Sequence, residues 1–326
     1  MNQHYRRSVL LPVLFCLVAT TASAQYFRSS NYWKTHRNEW GIGMGVSNFL
    51  GELGGRNQIG SPFVWDLEFS QTKPAINICH KYFLRERISW RNGLTYGVLS
   101  GNDNLTTEAF RHNRNMQFRS DVFEFSSVLE YHFYKEQLGH IYDLRGVKGV
   151  KSKRVGLYVF AGIGGFYFNP KAQVNNGYVA LKPLHTEGQG LPGGPEEYNL
   201  IGFCVPMGVG IRKALSKQWS AGLELQYTMT FTDYIDDVSG VYYDPVELRN
   251  NYGDLSAYLS NPSLHELENN PEYGYDPTET NMQRGDSKDN DAYLFLKVQF
   301  HYKVYKYRTQ GGKKYRTRIR RQKIVF

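Results

Sequence analysis

The chain has few cysteines for its length, which limits the covalent and metal chemistry open to it. Three cysteines occur in 326 residues, and Cys16 lies in a leader-like segment. The other two, Cys79 and Cys204, are too few and too far apart for a disulfide framework or a zinc cluster. We therefore expect two free, buried, structural cysteines and no bound metal.

Long hydrophobic runs are absent after the leader. No later segment approaches 18 consecutive apolar residues, so no transmembrane helix is expected. The leader has positive charge at Arg6 and Arg7, an apolar stretch over residues 9–19 and small residues at 22–24. This order predicts a cleaved signal peptide over residues 1–24.

Motifs of catalysis are also missing. The sequence contains no nucleophile elbow and no phosphate-binding loop, and His112, His140, His185 and His265 have no serine or acid at a telling spacing. We therefore expect no enzymatic activity and no cofactor. The tripeptide at residues 284–286, Arg-Gly-Asp, matches a cell-adhesion motif, but matches of three residues are mostly chance.

Asp233, Asp236 and Asp237 form the one acidic cluster that we considered as a ligand site. Three carboxylates can hold Ca²⁺. The interpretation that we favour is a loop anchored by hydrogen bonds to backbone amides and to an arginine.

What the sequence does contain is long alternation. In residues 219–231, WSAGLELQYTMTF, every second residue from Trp219 is apolar and the others are small or polar. Successive side chains of a strand point to opposite faces, so this strand has one apolar and one polar face. Its length exceeds the usual 5–6 residues and fits a strand that crosses a membrane.

Alternation of this kind recurs along the chain. Eight strands are predicted, over residues 40–47, 75–83, 88–99, 122–133, 155–168, 200–212, 219–231 and 292–304. Both faces of 155–168 are apolar or glycine, so its facing stays open, and Pro206 predicts a bulge in its strand. Glycines in the first strand make room inside a narrow barrel.

The connections are short on one side and long on the other, which is typical of outer-membrane barrels. We therefore predict an all-β fold: an eight-stranded antiparallel transmembrane β-barrel over residues 25–304. Long loops are extracellular, both termini are periplasmic, and Cys79 and Cys204 lie on opposite walls. Inward charged residues are expected to pair across the lumen as a plug: Arg91, Glu124, Glu130, Glu224 and Lys297.

Positive charge is concentrated at the C-terminus. Residues 303–326 hold ten basic and no acidic residues, whereas residues 25–302 hold 27 basic and 30 acidic residues. Residues 305–326 are predicted to be a basic periplasmic tail that cannot fold alone. A protein with a signal peptide and a barrel does not meet nucleic acid, so the targets considered are periplasmic proteins or phospholipid headgroups.

Several stretches together resemble the PorG-like outer-membrane barrels associated with the type IX secretion system. They are VSNFLGELGG (46–55), LRGVKG (144–149), FAGIGGFYFNP (160–170), TEGQGLP (186–192), TFTDYIDDVS (230–239) and RGDSKDND (284–291). The resemblance implies an OmpA-like eight-stranded barrel without enzymatic activity. It also implies contact with outer-membrane lipids and with the periplasmic ring of the lipoprotein PorK and its partner PorN.

Two hypotheses of function follow. In the first, the barrel belongs to the secretion and gliding machinery, and its basic periplasmic face docks onto the ring. The predicted docking residues are Lys148, Lys151, Lys153, Arg154, Lys313, Lys314, Arg316, Arg318, Arg320, Arg321 and Lys323. In the second, the protein is a stand-alone surface barrel, either a small porin or a lipid-modifying enzyme. A tail that is merely solvated is the alternative to docking.

Overall fold

The computed structural model describes residues 33, 36–51, 53, 69–136, 155–175, 177–216, 218–268 and 274–304. The chain divides into two compact units, Met1–Lys34 and Thr35–Phe326. Of the first unit only Trp33 is described. The predicted signal peptide and the predicted tail therefore lie outside the described residues, and the fold given below is that of the second unit.

Ten strands and three α-helices make up the described part of this unit. The strands are β1 (Asn38–Leu50), β2 (Lys73–Phe83), β3 (Ile88–Asn102), β4 (Gln117–Tyr134), β5 (Val155–Tyr167), β6 (Pro170–Val174), β7 (Gly177–Ala180), β8 (Ile201–Ala214), β9 (Trp219–Thr230) and β10 (Ala292–Val304). The helices are α1 (Ala109–Arg114), α2 (Pro245–Tyr252) and α3 (Asp254–Ser260). None of the helices in the described ranges is long and apolar enough to cross a membrane.

Eight of the strands close into a barrel. The hydrogen-bonded order is β3-β2-β1-β10-β9-β8-β5-β4, and β4 pairs back with β3. All of these pairings are antiparallel. Closure pairs every barrel strand on both sides, which satisfies the backbone groups that an open sheet would leave exposed at its edges. The predicted fold class is confirmed, and all eight predicted strands are present.

The exterior of the barrel is apolar and the interior is polar. Ile163, Ile201 and Phe203 point outward with 73%, 73% and 80% of their surface exposed. On β4, outward aromatic residues extend from Phe123 to Phe133. The ten steps between these two residues, at a rise of about 3.3 Å and a tilt of about 40°, span roughly 25 Å, which is the height of the apolar band of an outer-membrane barrel.

Two cysteines and a glycine illustrate how tightly the interior is filled. Cys79 on β2 and Cys204 on β8 are buried and free, as predicted. Their strands are four places apart in the ring of eight, and so lie on opposite walls. A Cβ atom added at Gly41 would lie 2.6 Å from the Cys79 sulfur. The glycine therefore makes the room in the lumen that the sequence predicted.

The facing of β5, which the sequence left open, is set by its aromatic residues. Tyr158, Phe160 and Phe166 are buried inside the barrel, and the alternate residues point outward. The bulge predicted at Pro206 is wrong. Pairing of β5 with β8 skips from Ala161–Met207 to Gly164–Cys204 without a change of register. Proline, which has no N–H, leaves a gap in this ladder instead.

The ends of the long connections form a cap over one mouth of the barrel. Strands β6 and β7 make a hairpin that extends β4, and all three helices lie in these connections. A buried apolar cluster joins the cap to the barrel wall. It includes Phe49, Leu53, Phe118, Phe166, Phe168, Tyr198, Ile235, Val238, Tyr242, Tyr293 and Phe295.

Candidate functional site

The positively charged face predicted from the sequence falls outside the described residues. This applies to Lys148, Lys151, Lys153, Arg154, Lys313, Lys314, Arg316, Arg318, Arg320, Arg321 and Lys323. Lys303, at the start of the basic run, is described and does not belong to a free tail. It is buried and binds Glu136 inside the barrel with an N–O distance of 2.8 Å. The charged clusters of the described chain lie in the lumen and in the cap.

Arg91 bridges the centre of the lumen. Its Nε lies 2.9 Å from Glu130 on the neighbouring strand β4, and its Nη1 lies 2.8 Å from Glu224. Strands β3 and β9 are opposite each other in the ring, so the contact with Glu224 crosses the barrel. All three side chains are at most 5% exposed. The predicted pairing across the lumen is confirmed for Arg91 and Glu224, whereas Arg91 and Glu130 pair between neighbouring strands.

Two lysines complete the charge of this network. Lys81 on β2 lies 2.7 Å from Glu130, and Lys297 on β10 lies 3.2 Å from Glu224. Tyr158 donates a hydrogen bond of 2.8 Å to Glu224. Because each buried carboxylate has two cationic partners and each cation has a carboxylate, the network retains its charges without exposing them to water.

Glu124 stands at the capped end of the network and differs from the prediction. The sequence predicted that it would form an ion pair, but it accepts hydrogen bonds from neutral groups. Gln226 donates at 2.8 Å, Tyr293 at 2.9 Å and Thr228 at 3.2 Å. Gln226 in turn accepts from Lys297 at 2.6 Å, which links Glu124 to the central charges through an amide.

A second ion-pair cluster fills the other end of the lumen. Arg212 on β8 lies 2.6 Å from Glu39 on β1 and 3.1 Å from Glu136, which also binds Lys303. This cluster contains two cations and two carboxylates, so its charges balance. The two clusters occupy successive levels of an eight-stranded barrel, whose interior is just wide enough for side chains. These two levels of buried ion pairs form a plug across the described part of the lumen.

The cap is held by its own buried ion pair. Arg284 Nη1 lies 2.8 Å from Glu187 Oε1 and donates to the backbone carbonyl of Asp237 at 2.6 Å. Glu187 also accepts from the backbone amides of Ser239 and Gly240, at 2.9 and 3.1 Å. Burial alone would lower the pKa of Arg284, but the charges of Glu187 and Asp237 outweigh burial and raise this pKa above its usual value. This pair fixes the loop before β8 to the loop between β9 and β10.

Asp237 carries a displaced pKa in the same region. Its carboxylate accepts hydrogen bonds of 2.6 Å from the hydroxyl groups of Thr186 and Tyr198. Burial raises the pKa of Asp237 to about 6, although Arg284 and the two hydroxyl groups oppose the shift. The pKa of Tyr198 is also raised, first by burial and then by Asp237. The pKa of Asp237 is therefore well above that of an ordinary aspartate.

The acidic cluster over residues 233–237 anchors loops, as the favoured interpretation predicted. Asp236 accepts from the backbone amides of Val238 and Leu53, at 3.0 and 3.3 Å. The predicted arginine is Arg284, but it binds the main-chain carbonyl of Asp237 and not its carboxylate. Arg284 is also the first residue of the Arg-Gly-Asp tripeptide and is 3% exposed. It is therefore not presented for adhesion.

One group in the described residues brings metal-ligating side chains together. The ligand atoms of His265, Glu268 and Asp276 lie within 4.8 Å of one another. His265 Nδ1 is 2.8 Å from Asp276 Oδ2, and the other oxygen of Asp276 accepts from the Thr278 backbone amide and hydroxyl. The carboxylate is thus already bonded on both oxygens. The contact between His265 and Asp276 was not predicted from the sequence, because no short motif links two residues that lie eleven positions apart.

The solved structures to which this chain is similar include three bacterial membrane or surface proteins. Neisserial surface protein A (NspA) is 6% identical, with 82% of this chain and 96% of that chain covered and a TM-score of 0.34. Ail, the attachment invasion locus protein of Yersinia pestis, is 7% identical, with 82% and 99% covered and a TM-score of 0.32. OprG from Pseudomonas aeruginosa is 6% identical, with 83% and 98% covered and a TM-score of 0.34.

No curated protein matches the chain. A family of sequences does match it, over residues 12–255, which is most of its length. This match includes the barrel from β1 through β9, together with part of the cap. The chain belongs to the DUF6089 family, a domain of unknown function.

Proposed function

We propose that this protein is a non-conducting, non-enzymatic barrel that anchors a secretion machine in the outer membrane. The observation that carries the proposal is the plugged lumen. Arg91 joins the two walls through Glu130 and Glu224, and Arg212 joins Glu39 and Glu136 at the next level. Ion pairs of this kind fill the interior and hold the barrel walls together, which suits a rigid support.

The apolar exterior and the predicted signal peptide support the outer membrane as the location. The same features fit the alternative, a stand-alone porin or lipid-modifying enzyme, and the lumen is the feature that bears on the porin. A porin needs a continuous water-filled channel, and an enzyme needs a nucleophile or base at the rim. The filled lumen and the apolar cluster beneath the cap argue against a porin.

The type IX secretion role rests on the sequence resemblance to PorG-like barrels. In this proposal both termini lie in the periplasm, because eight strands return the chain to the side on which it began. The basic tail and the basic connection between β4 and β5 then face the periplasmic ring proteins of the PorK and PorN type. Attraction between charges would draw them together and would weaken as salt shortens the screening length.

Deletion of the gene tests the role in secretion. We expect impaired export of a whole class of secreted proteins, with unchanged uptake of small solutes. Normal export together with altered solute uptake or altered lipid A would favour the stand-alone barrel.

A chain that stops after residue 305 tests docking, once its normal membrane insertion has been established. We expect it to lose salt-sensitive co-purification with the ring proteins and to secrete poorly. Co-purification and secretion at the level of the full chain would refute docking through the tail and would leave the barrel assignment intact.

A further inference from the structure

A row of polar side chains crosses the lipid-facing surface on three adjacent strands. His80 on β2 is paired in register with Asn92 on β3, and Asn92 is paired with Ser127 on β4. All three have the parity of outward residues, because their neighbours along the strands, such as Leu94 and Leu129, are exposed and apolar. Polar groups within the apolar band of a membrane protein are costly and usually have a role.

Two members of the row have partners on the barrel itself. His80 Nε2 lies 3.2 Å from the side-chain oxygen of Asn38, near the end of the barrel with the short turns. Ser127 Oγ accepts a hydrogen bond of 2.8 Å from the indole N–H of Trp90. Each of these two side chains therefore has a hydrogen-bond partner on the barrel itself.

Asn92 is the exception. Within the described part of the chain, no group donates to its side-chain amide or accepts from it. Outward residues of β3 run from Ile88 to Tyr96, and Asn92 is the middle one. Four residues of strand on each side correspond to about 10 Å along the membrane normal, so this short side chain cannot reach either interface. Lipid chains offer it neither a donor nor an acceptor.

We propose that Asn92 is the centre of a contact between two copies of this chain within the membrane. A primary amide carries both an acceptor and donors. Two copies related by a twofold axis through this point place amide against amide, and each N–H donates to the carbonyl of the other. An isologous contact of this kind requires only the surface already present on one chain.

The surroundings of Asn92 fit a close approach of two walls. Ser127 is small and lies beside it, while the apolar side chains of Leu94 and Leu129 flank it and are 50% and 56% exposed. In a membrane, association depends on close packing and on hydrogen bonds between polar side chains, because lipid is as apolar as the protein surface. A small polar centre with apolar flanks provides both.

The inference depends on the barrel lying in a bilayer but not on the secretion role. It is tested with the purified full chain in phosphatidylcholine vesicles, where energy transfer between labelled copies is measured as lipid dilutes the protein. We expect a dimer, and we expect Asn92→Leu to weaken association about tenfold. Asn92→Gln should restore part of the affinity because it keeps an amide, and Ser127→Ala should have a smaller effect than Asn92→Leu.

Cross-linking places the contact. Leu94→Cys next to Asn92 should give a product of twice the chain mass with a short bifunctional maleimide, both in vesicles and in native membranes. Leu225→Cys on β9, the opposite wall, serves as the matched control and should give none. The parent chain, whose Cys79 and Cys204 are buried, is the negative control and should give no cross-linked product.

Each remaining outcome would overturn the inference. An inserted chain that stays monomeric, equal affinity of Asn92→Leu and the parent chain, or equal cross-linking from both walls would each contradict it. A product of another mass in native membranes would identify a different protein as the partner. Flotation with the vesicles is checked first, because failure to insert would refute the membrane placement as well.

Discussion

Replacing Glu224 with glutamine removes one charge from the centre of the lumen and keeps the shape of the side chain. Arg91 and Lys297 lie 2.8 and 3.2 Å from its carboxylate, and all three groups are buried. Arg91 still has Glu130, but Lys297 loses the carboxylate it binds. Leaving one buried charge uncompensated costs about 3–5 kcal/mol. We expect a loss of stability near the lower end, because glutamine still accepts hydrogen bonds from Tyr158 and Arg91.

The free energy of unfolding is measured by urea titration in lipid vesicles, with tryptophan fluorescence as the signal. Glu266→Gln, on the exposed surface of the cap, is the control and should change stability by less than about 0.5 kcal/mol. Lys297→Met combined with Glu224→Gln restores the balance of charge, and we expect it to recover at least about 1 kcal/mol. Equal effects of Glu224→Gln and Glu266→Gln would refute the account of the lumen as a coupled network.

Two further predictions concern the cap. Asp237 has a raised pKa of about 6 in the folded chain, so its protonated form is the stabilising one, and stability is lost as pH rises through 6. Lowering the pH from 7.5 to 5 should stabilise the cap by about 1.4 kcal/mol, measured by hydrogen exchange. Asp237→Asn should remove most of this pH dependence. If the pH dependence is unchanged in Asp237→Asn, it arises from another group. Arg284→Met leaves Glu187 buried without its cation and should destabilise the cap by about 3 kcal/mol. The loss is measured as faster cleavage of the cap when protease is added to intact vesicles that contain the protein. Arg249→Met breaks only an exposed pair with Asp254 and should not change proteolysis, and equal cleavage of the two variants would contradict this role of Arg284.

Alternation of apolar and polar residues accounts for how much of the barrel could be predicted. The last strand, Ala292–Val304, has the predicted bounds because its apolar and polar residues alternate over most of its length. Both faces of Val155–Tyr167 are apolar or glycine, so only packing inside the barrel settled its facing. Periodicity reports on which face is buried, and it carries no information when both faces look alike.

Contacts between distant residues could not be predicted in the same way. Arg91 and Glu224 were expected to share the lumen, because alternation along their strands turns both side chains inward. Alternation does not show which inward side chains pair with each other. Arg284 and Glu187 lie 97 positions apart in connections without regular spacing. The β6–β7 hairpin was missed because its strands have only five and four residues, which is too short to show a clear alternation.

Conductance across a planar lipid bilayer tests the central claim, that the lumen is plugged. The full chain is inserted at neutral pH in 1 M salt, and the current through single molecules is recorded. Two levels of buried ion pairs, Arg91 with Glu130 and Glu224 and Arg212 with Glu39 and Glu136, predict no ion current above the bare bilayer. A steady, repeatable conductance step with each inserted molecule would contradict the account.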